Sequence, residues 1–168
     1  MGDLLKGKRG LVMGVANDRS IAWGIARAVA DQGAELAFSF QGDAFGKRVQ
    51  PLAASVGSDF LLDVDVTDDA SLDAAFAALA ERWGRLDFVI HAIAFSNKDE
   101  LTGRFVNTSR ANFKTSLDIS CYSLIEMTRA AEPLMAAGGT ILTMSYYGAE
   151  KVLDNYNIMG PVKADRKS

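Results

Sequence analysis

The sequence predicts an α/β fold with a doubly wound, Rossmann-like parallel sheet. Three observations support this prediction: short apolar segments alternate with helical ones, no repeat or low-complexity stretch interrupts them, and 168 residues suit one domain with a substantial core. Strands that are separated by helices favour parallel pairing with right-handed crossovers. We therefore expect a single domain over residues 1–168.

Five short apolar segments predict strands, and the segments between them predict helices. The expected strands are RGLVMG, AELAFSF, SDFLLDVDV, RLDFVIHAIA and GGTILTMSYYG. The expected helices are SIAWGIARAVADQG, DAFGKRVQPLAAS, DDASLDAAFAALAERWG and SRANFKTSLDISCYSLIEMTRAAEPLM. We expect Gly33 and Gly84 to end the first and third helices, and Pro51 to break or kink the second.

The composition excludes several classes of protein. A formal net charge of −3 argues against nucleic acid or an anionic membrane surface as the main partner. No apolar run approaches the roughly 18 residues of a membrane span, and no secretory signal is visible. The single cysteine, Cys121, excludes an intramolecular disulfide, suits a reducing compartment and lies in an apolar helical pattern. We expect a cytoplasmic protein without a metal centre.

The first strand-to-helix turn, GVANDRSIAWG, has the features of a phosphate-binding loop. Gly14 can make the tight turn after the strand, Ser20 can cap the next helix, and Gly24 would let that helix pack closely on the sheet. The helix N-terminus would then offer N–H groups and partial positive charge to a pyrophosphate. A capped turn without any ligand fits the same residues, so both interpretations stay open at this point.

The ends of the second and third strands carry polar residues suited to an adenosine. Gln41 stands where dinucleotide sites often have Asp or Glu, and it can bind ribose or adenine. No arginine follows it directly, which favours NADH over NADPH. Asp65 can accept from the adenine amino group, with Val66 against the ring. Alternatively, Asp65 only caps the next helix, although Asp68 and Asp69 are better placed for that.

The fourth strand ends in small residues that would admit a flat cofactor. Ala92 and Ala94 flank Ile93 in the segment HAIAFS. His91 is the single histidine, and its place within an apolar run favours a packing role over a catalytic one.

Near its C-terminus the chain contains NYNIMGPVK, in which Tyr156 and Lys163 are seven positions apart. A helix would put both side chains on one face, and a phenol beside an ammonium group is a suitable acid for reduction chemistry. A core or interface aromatic is the alternative for Tyr156. If the helix began near Asn155, Pro161 would lie beyond its first turn and cost about 3 kcal/mol.

Five segments together resemble the NADH-dependent enoyl-acyl carrier protein reductases of bacterial fatty-acid synthesis, a divergent branch of the short-chain dehydrogenase/reductase superfamily. These segments are GVANDRSIAWGIA, DVDVTDD, DFVIHAIAFSNKDEL, SYYGAEK and NYNIMG, and the resemblance extends from about Lys8 to about Lys163. It implies cofactor contacts at Gly14, Ser20, Ile21, Gln41, Asp65, Val66, Ile93 and Lys163. It also implies active-site tyrosines at Tyr146 and Tyr156, and a position beside the acyl substrate at Ser96.

The resemblance implies reduction of a trans-2-enoyl thioester bound to acyl carrier protein. Hydride delivered to C3 places negative charge on the thioester oxygen, where Tyr156 would donate a hydrogen bond. Lys163 would hold the nicotinamide ribose, and Tyr146 would guard or relay the proton for C2. Relatives of this kind are commonly homotetramers. A reductase or dehydrogenase for alcohols or ketones is disfavoured, because such members usually space tyrosine and lysine by four.

Two departures from the family pattern lead to a second hypothesis. Family members continue well beyond the position of Lys163, so we expect a dinucleotide-binding domain that is incomplete at its C-terminal edge. Pro161 replaces a leucine or valine, and we expect the last helix to be short, frayed or displaced. The second hypothesis is therefore a catalytically inactive nucleotide-binding or interaction module derived from the reductase.

Overall fold

A computed structural model of the protein describes residues 2–165, and these contain one parallel sheet. Its strands are β1 (Arg9–Met13), β2 (Glu35–Phe40), β3 (Phe60–Asp63), β4 (Phe88–His91) and β5 (Thr140–Thr143). The strand order is β3-β2-β1-β4-β5, and every pair of neighbours is parallel. The direction of winding reverses between β1 and β4, which is where doubly wound folds bind ligands. The predicted fold class is confirmed.

Helices connect the strands in the predicted order. They are α1 (Ile21–Asp31), α2 (Gly42–Ser55), α3 (Asp69–Trp83), α4 (Arg110–Leu117), α5 (Ser123–Ala131) and α6 (Met159–Asp165). A π-helical turn, Asp118–Tyr122, joins α4 to α5, so the long helix predicted there contains a local widening. In the described part of the chain, no helix has the length and apolar character needed to cross a membrane.

The described residues form two compact units. The sheet unit consists of the described residues up to Ala92 together with Met127–Thr143, and so contains all five strands. The second unit consists of Ile93–Glu126 and the described residues from Met144 onward.

The core of the sheet unit explains why α2 continues through Pro51. Val49 and Ala53 precede and follow the proline and are fully buried, whereas Pro51 is exposed. Both buried residues belong to the cluster that contains Phe38 of β2. The predicted break at Pro51 is wrong, because burial of the helix face around it outweighs the one backbone hydrogen bond that proline removes.

Two predicted helix ends and one predicted close contact can be compared with the structure. α3 ends at Gly84, whose φ of 67° is left-handed and whose N–H donates to the Ala80 carbonyl at 2.8 Å. α1 ends at Asp31, just before Gly33. Gly24 was expected to let α1 pack closely on the sheet, but it is exposed, and a Cβ there would meet nothing within 4 Å. The close approach occurs instead at Gly10 of β1, against the ring of Phe88.

The second unit has its own small apolar core. Cys121, Ile158, Met159 and Val162 are buried together, with Tyr156 packed against them. Cys121 is buried as predicted, and its thiol lies 3.0 Å from the Asp165 carboxylate. This core packs the π-helical turn against α6.

Candidate active site

At the end of β1, the chain turns through Gly14 into the loop that precedes α1. Gly14 has a φ of 98°, a conformation that glycine adopts without the steric cost that a Cβ imposes. Tight turns of this kind bring backbone close to a ligand at the carboxyl edge of a parallel sheet. The predicted role of Gly14 as a turn residue agrees with this geometry.

Ser20 occupies the N-cap position of α1 but does not cap it. Its hydroxyl accepts from the N–H groups of Ala16 at 3.0 Å and Asn17 at 2.9 Å, and it donates to the Asn17 carbonyl at 2.7 Å. The expectation that Ser20 caps the helix is therefore wrong, because the preceding loop competes for the same hydroxyl. α1 begins without a side-chain cap, so the N–H groups of its first turn, starting at Ile21, donate no hydrogen bond to the Ser20 hydroxyl.

Gln41 and Asp65 follow the neighbouring strands β2 and β3, and the Gln41 side chain contributes to the lowered pKa of Asp65. The Thr67 N–H and hydroxyl donate to Asp65 Oδ1 at 2.9 and 2.7 Å. Hydrogen bonds from the Thr67 amide, the Thr67 hydroxyl and Gln41 lower the pKa of Asp65 despite its partial burial. Asp68 caps α3 by accepting from the Ala70 N–H at 3.1 Å, so Asp65 is not needed as a cap.

Two further sequence-predicted positions, Val66 and Ile93, are partly buried. Val66 directly follows Asp65, and Ile93 directly follows the end of the sheet unit at Ala92. His91, by contrast, is fully buried at the end of β4, with its Nδ1 3.4 Å from the Thr143 hydroxyl of β5. This burial agrees with the packing role predicted for His91.

In the second unit, Tyr156 lies in a turn rather than on a helix. α6 begins only at Met159, and Asn155 and Asn157 have φ values of 59° and 31°. Asparagine is one of the few residues that tolerate this left-handed region. The prediction that one helix face carries both Tyr156 and Lys163 is wrong, because these two asparagines turn the chain before the helix starts.

The later start of α6 also changes the effect of Pro161. The proline is the third residue of the helix. The first N–H that donates to a carbonyl four residues earlier is that of Val162, which donates to the Ile158 carbonyl at 3.1 Å. N–H groups of a first helical turn have no partner within the helix, so proline removes no bond there. The penalty of about 3 kcal/mol was expected only for a helix that begins near Asn155, and that condition is not met.

Tyr156 is positioned by packing and by its neighbour in the sequence. Its ring lies edge-on to that of Tyr146, with centroids 5.0 Å apart and planes inclined at 64°. A Cβ added at Gly148 would be 2.5 Å from Tyr156 Cδ1, so the glycine leaves the space that the ring occupies. The Asn157 amide donates to the carbonyls of Glu100 at 2.9 Å and Thr102 at 3.2 Å. Sequence reasoning did not assign these two supporting roles.

Lys163 is almost completely buried, with 6% of its surface exposed. Its Nζ donates to the Met144 carbonyl at 3.0 Å. A buried ammonium group needs such partners, because its desolvation would otherwise be costly. Lys163 therefore fixes the backbone two residues before Tyr146. All three predicted catalytic residues, Tyr146, Tyr156 and Lys163, belong to the second unit.

A cavity of about 490 Å³ opens beside Tyr156 within the second unit. Its apolar lining includes Phe105, Leu153 and Pro161. Glu150, Lys151 and Asn157 add polar groups to the lining. A cavity with an apolar part beside a phenol suits a ligand that has a hydrocarbon chain next to a polar group.

Ser96 lies in the same unit, in the segment after β4, and its hydroxyl faces α4. The Ser116 hydroxyl lies 3.0 Å from Ser96 Oγ, and the Asn112 amide donates to Ser96 Oγ at 3.2 Å. Sequence reasoning did not find Asn112 and Ser116. The available signal was a small polar residue at every fourth position, Asn112, Ser116 and Ser120, which puts the three on one helical face.

Comparisons with known proteins show the family to which the chain is similar. The chain matches the family described as Enoyl-(Acyl carrier protein) reductase over residues 14–167. It is 58% identical to Enoyl-[acyl-carrier-protein] reductase [NADH] 2 of Rhizobium meliloti, over 98% of this chain and 61% of that protein. The crystal structure of FabI from Candidatus Liberibacter asiaticus superimposes with a TM-score of 0.98 at 51% identity, covering 99% of this chain and 65% of that one.

A second solved structure is that of the enoyl-acyl carrier protein reductase of Anaplasma phagocytophilum in complex with NAD. It superimposes with a TM-score of 0.97 at 56% identity and covers 99% of this chain and 64% of that one. The present chain therefore spans less than two thirds of the length of these relatives.

Proposed function

The chain belongs to the enoyl-acyl carrier protein reductase family, and from that premise we propose that it reduces trans-2-enoyl thioesters of acyl carrier protein with NADH. The observation that carries the proposal is the arrangement of the second unit, in which Tyr156 packs on Tyr146 while Lys163 is buried against the Met144 carbonyl. These residues lie within the stretch that matches the family.

The sheet unit offers groups that fit an adenine dinucleotide. The turn at Gly14 and the first-turn N–H groups of α1, left uncapped by Ser20, suit a pyrophosphate. Gln41 and Asp65 would accept and donate hydrogen bonds to the adenosine, with Val66 against the adenine ring. Ile21, the first residue of α1, completes the cofactor contacts proposed in this unit. Ile93, which belongs to the second unit, is a further proposed contact.

The surroundings of Gln41 favour NADH over NADPH. A 2′-phosphate is usually held by an arginine near the end of the second strand. The nearest arginine along α2 is Arg48, whose guanidinium lies over the ring of Phe45, 5.8 Å from its centroid. The Anaplasma relative was crystallised with NAD, which supports the same choice.

The reaction adds a hydride and a proton across the C2–C3 double bond. Bound NADH would supply the hydride to C3 and be oxidised to NAD⁺. As the electron pair of the double bond shifts toward the thioester, the Tyr156 hydroxyl donates a hydrogen bond to the oxygen on which charge develops. A donor that acts mainly at this stage lowers the barrier rather than only tightening substrate binding. Tyr146 would shield or relay the proton that is added at C2. Lys163 would hold the ribose of the nicotinamide.

The enoyl group would reach this site on acyl carrier protein, which we propose as the partner that presents the substrate. The cavity beside Tyr156 supports this, because its apolar lining suits the hydrocarbon of an acyl chain. A cytoplasmic location is part of the proposal and is supported by a single cysteine, Cys121, which needs no oxidising compartment.

We also propose that the chain forms homo-oligomers, with a tetramer as the state that the family implies. Phe113, Tyr122 and Ile125, on α4, the π-helical turn and α5, are 45%, 42% and 53% exposed. They line one face together with Leu117 and with the charged residues Lys114, Asp118 and Asp165. Exposed apolar side chains with charged neighbours suit contact with a second copy. Light scattering of the purified chain, compared with Ile125→Lys, tests this proposal.

The test of the reductase is to mix the purified chain with NADH and crotonyl-pantetheine and follow the loss of nicotinamide absorbance. We expect a loss that requires the thioester and gives butyryl-pantetheine. A chain that binds NADH but gives no butyryl product would overturn the reductase and favour a nucleotide-binding module without catalysis.

A further inference from the structure

Three buried polar side chains lie against the segment 95–97 in the second unit. Asn112, Ser116 and Ser120 follow each other at intervals of four residues along α4 and the π-helical turn. Their exposed fractions are 5%, 0% and 0%. We call these three residues the polar ladder. Buried polar groups are costly unless they are paired, so the hydrogen-bond partners of the ladder show which backbone and side-chain groups it positions.

The two ends of the ladder bind the backbone on either side of Ser96. The Ser120 hydroxyl accepts from the Phe95 N–H at 2.8 Å and donates to the Phe95 carbonyl at 3.0 Å. Asn112 Oδ1 accepts from the Asn97 N–H at 2.8 Å. The Asn97 carbonyl is also used, since it accepts from the Glu100 N–H at 3.1 Å.

The middle of the ladder holds the side chain of Ser96. Its Oγ lies 3.0 Å from the Ser116 hydroxyl and 3.2 Å from the Asn112 amide nitrogen. The hydroxyl is thereby turned toward α4 and is engaged in a protein network. A direct contact between the Ser96 hydroxyl and a ligand would have to break these bonds.

The backbone N–H and carbonyl of Ser96 thus differ from those of the residues on either side. Within segment 95–97, the backbone N–H and carbonyl groups of Phe95 and Asn97 all have hydrogen-bond partners. The N–H and carbonyl of Ser96 have none among residues 2–165. Ser96 is only partly buried, so this donor and acceptor remain accessible. An adjacent N–H and carbonyl can pair with an amide of an extended ligand, as in the addition of a strand.

We propose that Asn112, Ser116 and Ser120 are positioning residues that orient the Ser96 peptide toward the amide groups of the carrier arm of the thioester substrate. The proposal rests on the reductase function proposed above. The ladder fixes the backbone before and after Ser96 and holds its side chain away, so the free peptide is presented in one orientation. Pre-organisation of this kind reduces the ordering cost of binding.

The test compares two thioesters that differ in the amide-bearing arm. Crotonyl-pantetheine carries amide groups, whereas S-ethyl thiocrotonate has the same enoyl thioester without them. The variants are Ser116→Ala and Ser120→Ala. The matched control is Ser123→Ala, a buried serine of the same helical run whose hydroxyl donates to the Ile119 carbonyl at 2.7 Å. Affinities for NADH and both thioesters are measured by titration on the full chain.

We expect Ser120→Ala to weaken crotonyl-pantetheine binding about tenfold and Ser116→Ala about threefold, with NADH affinity and S-ethyl thiocrotonate affinity unchanged. The factor of ten corresponds to about one hydrogen bond. Ser123→Ala should change none of the three affinities. Hydrogen exchange gives an independent readout: the Phe95 amide should be protected in the parent and lose protection in Ser120→Ala.

The outcomes separate the two proposals. If the parent binds crotonyl-pantetheine and both ladder variants bind it equally well, the positioning role is overturned and the reductase remains. An equal loss for both thioesters would also overturn it, since the effect would then not depend on the amide arm. If the parent binds neither thioester, the reductase function itself fails. Should Ser120→Ala not fold, Ser120→Cys keeps a weak donor and acceptor at this position, and the same comparison applies.

Discussion

The ring of Tyr156 packs edge-on against the ring of Tyr146, with centroids 5.0 Å apart and planes inclined at 64°. This contact, rather than a shared helix face with Lys163, defines the direction of the Tyr156 side chain. Edge-to-face aromatic pairs contribute about 0.5–1.5 kcal/mol beyond their area burial, which is enough to favour one ring orientation. The hydroxyl groups take no part in that ring packing, so their chemistry can be tested separately from the packing.

Tyr156→Phe keeps the ring and removes the proposed donor. We expect the rate of enoyl reduction to fall by roughly a hundredfold, the effect typical of losing one hydrogen bond to a developing oxyanion, while NADH affinity stays the same. Single-turnover absorbance measurements on parent and variant check this. Tyr147→Phe is the matched control, because Tyr147 is exposed and carries no proposed role. Equal rates for the parent and Tyr156→Phe would remove the hydroxyl from the mechanism.

Gly148→Ala should disturb the Tyr156 ring without touching its hydroxyl. The new Cβ would be 2.5 Å from Tyr156 Cδ1, so the ring must move, and we expect reduction to fall at least tenfold. The matched control is Gly24→Ala, where a Cβ meets nothing within 4 Å. Because alanine favours a helix over glycine, the free energy of unfolding of this variant should rise by about 0.5–1 kcal/mol. Rates and thermal unfolding of both variants are the measurements. Unchanged rates in Gly148→Ala would show that the ring position is not critical.

The spacing of apolar residues in the sequence was sufficient to predict the strands and helices of the sheet unit, because strands and helices each have a characteristic apolar pattern. It was insufficient near Tyr156, where two asparagines adopt left-handed φ and end the seven-residue relation with Lys163. Ser20 shows a similar limit: the residue was correctly placed before α1, but its hydroxyl binds loop groups that no local pattern specifies. Contacts such as those of Gly148 and Asn157 join segments far apart in sequence, so only the fold displays them.

Pro161→Leu should change stability little. Because Pro161 is the third residue of α6, its missing N–H lies where no helical partner exists, and its side chain is exposed. We expect the free energy of unfolding to change by less than about 1 kcal/mol, not by the roughly 3 kcal/mol of a helix-interior proline. Denaturant unfolding of both chains measures the difference. A gain near the larger figure would mean that α6 starts earlier than Met159.

Glu100→Gln should lower stability in a pH-dependent way. Hydrogen bonds from the Ser109 N–H and hydroxyl lower the pKa of Glu100 below its ordinary value of 4.5. The folded state therefore favours the ionised carboxylate, whose contribution is full above the ordinary pKa and is lost as pH falls through the lowered one. Unfolding of parent and variant should differ at pH 7 and converge in acid. A difference that stays constant through the acid range would contradict this role of the charge.

Asp65→Ala should weaken NADH binding more than it weakens the fold. The Asp65 carboxylate already accepts from Thr67 and Gln41, and these bonds lower its pKa, so it stays ionised and can accept from the adenine amino group at neutral pH. We expect roughly a tenfold loss of NADH affinity, as for one hydrogen bond to a charged group. Asp68→Ala is the matched control: it removes the cap of α3 and should cost about 1 kcal/mol of stability with NADH affinity unchanged. Calorimetric titration and thermal unfolding give both quantities, and equal NADH affinity in the parent and Asp65→Ala would remove this carboxylate from the cofactor site.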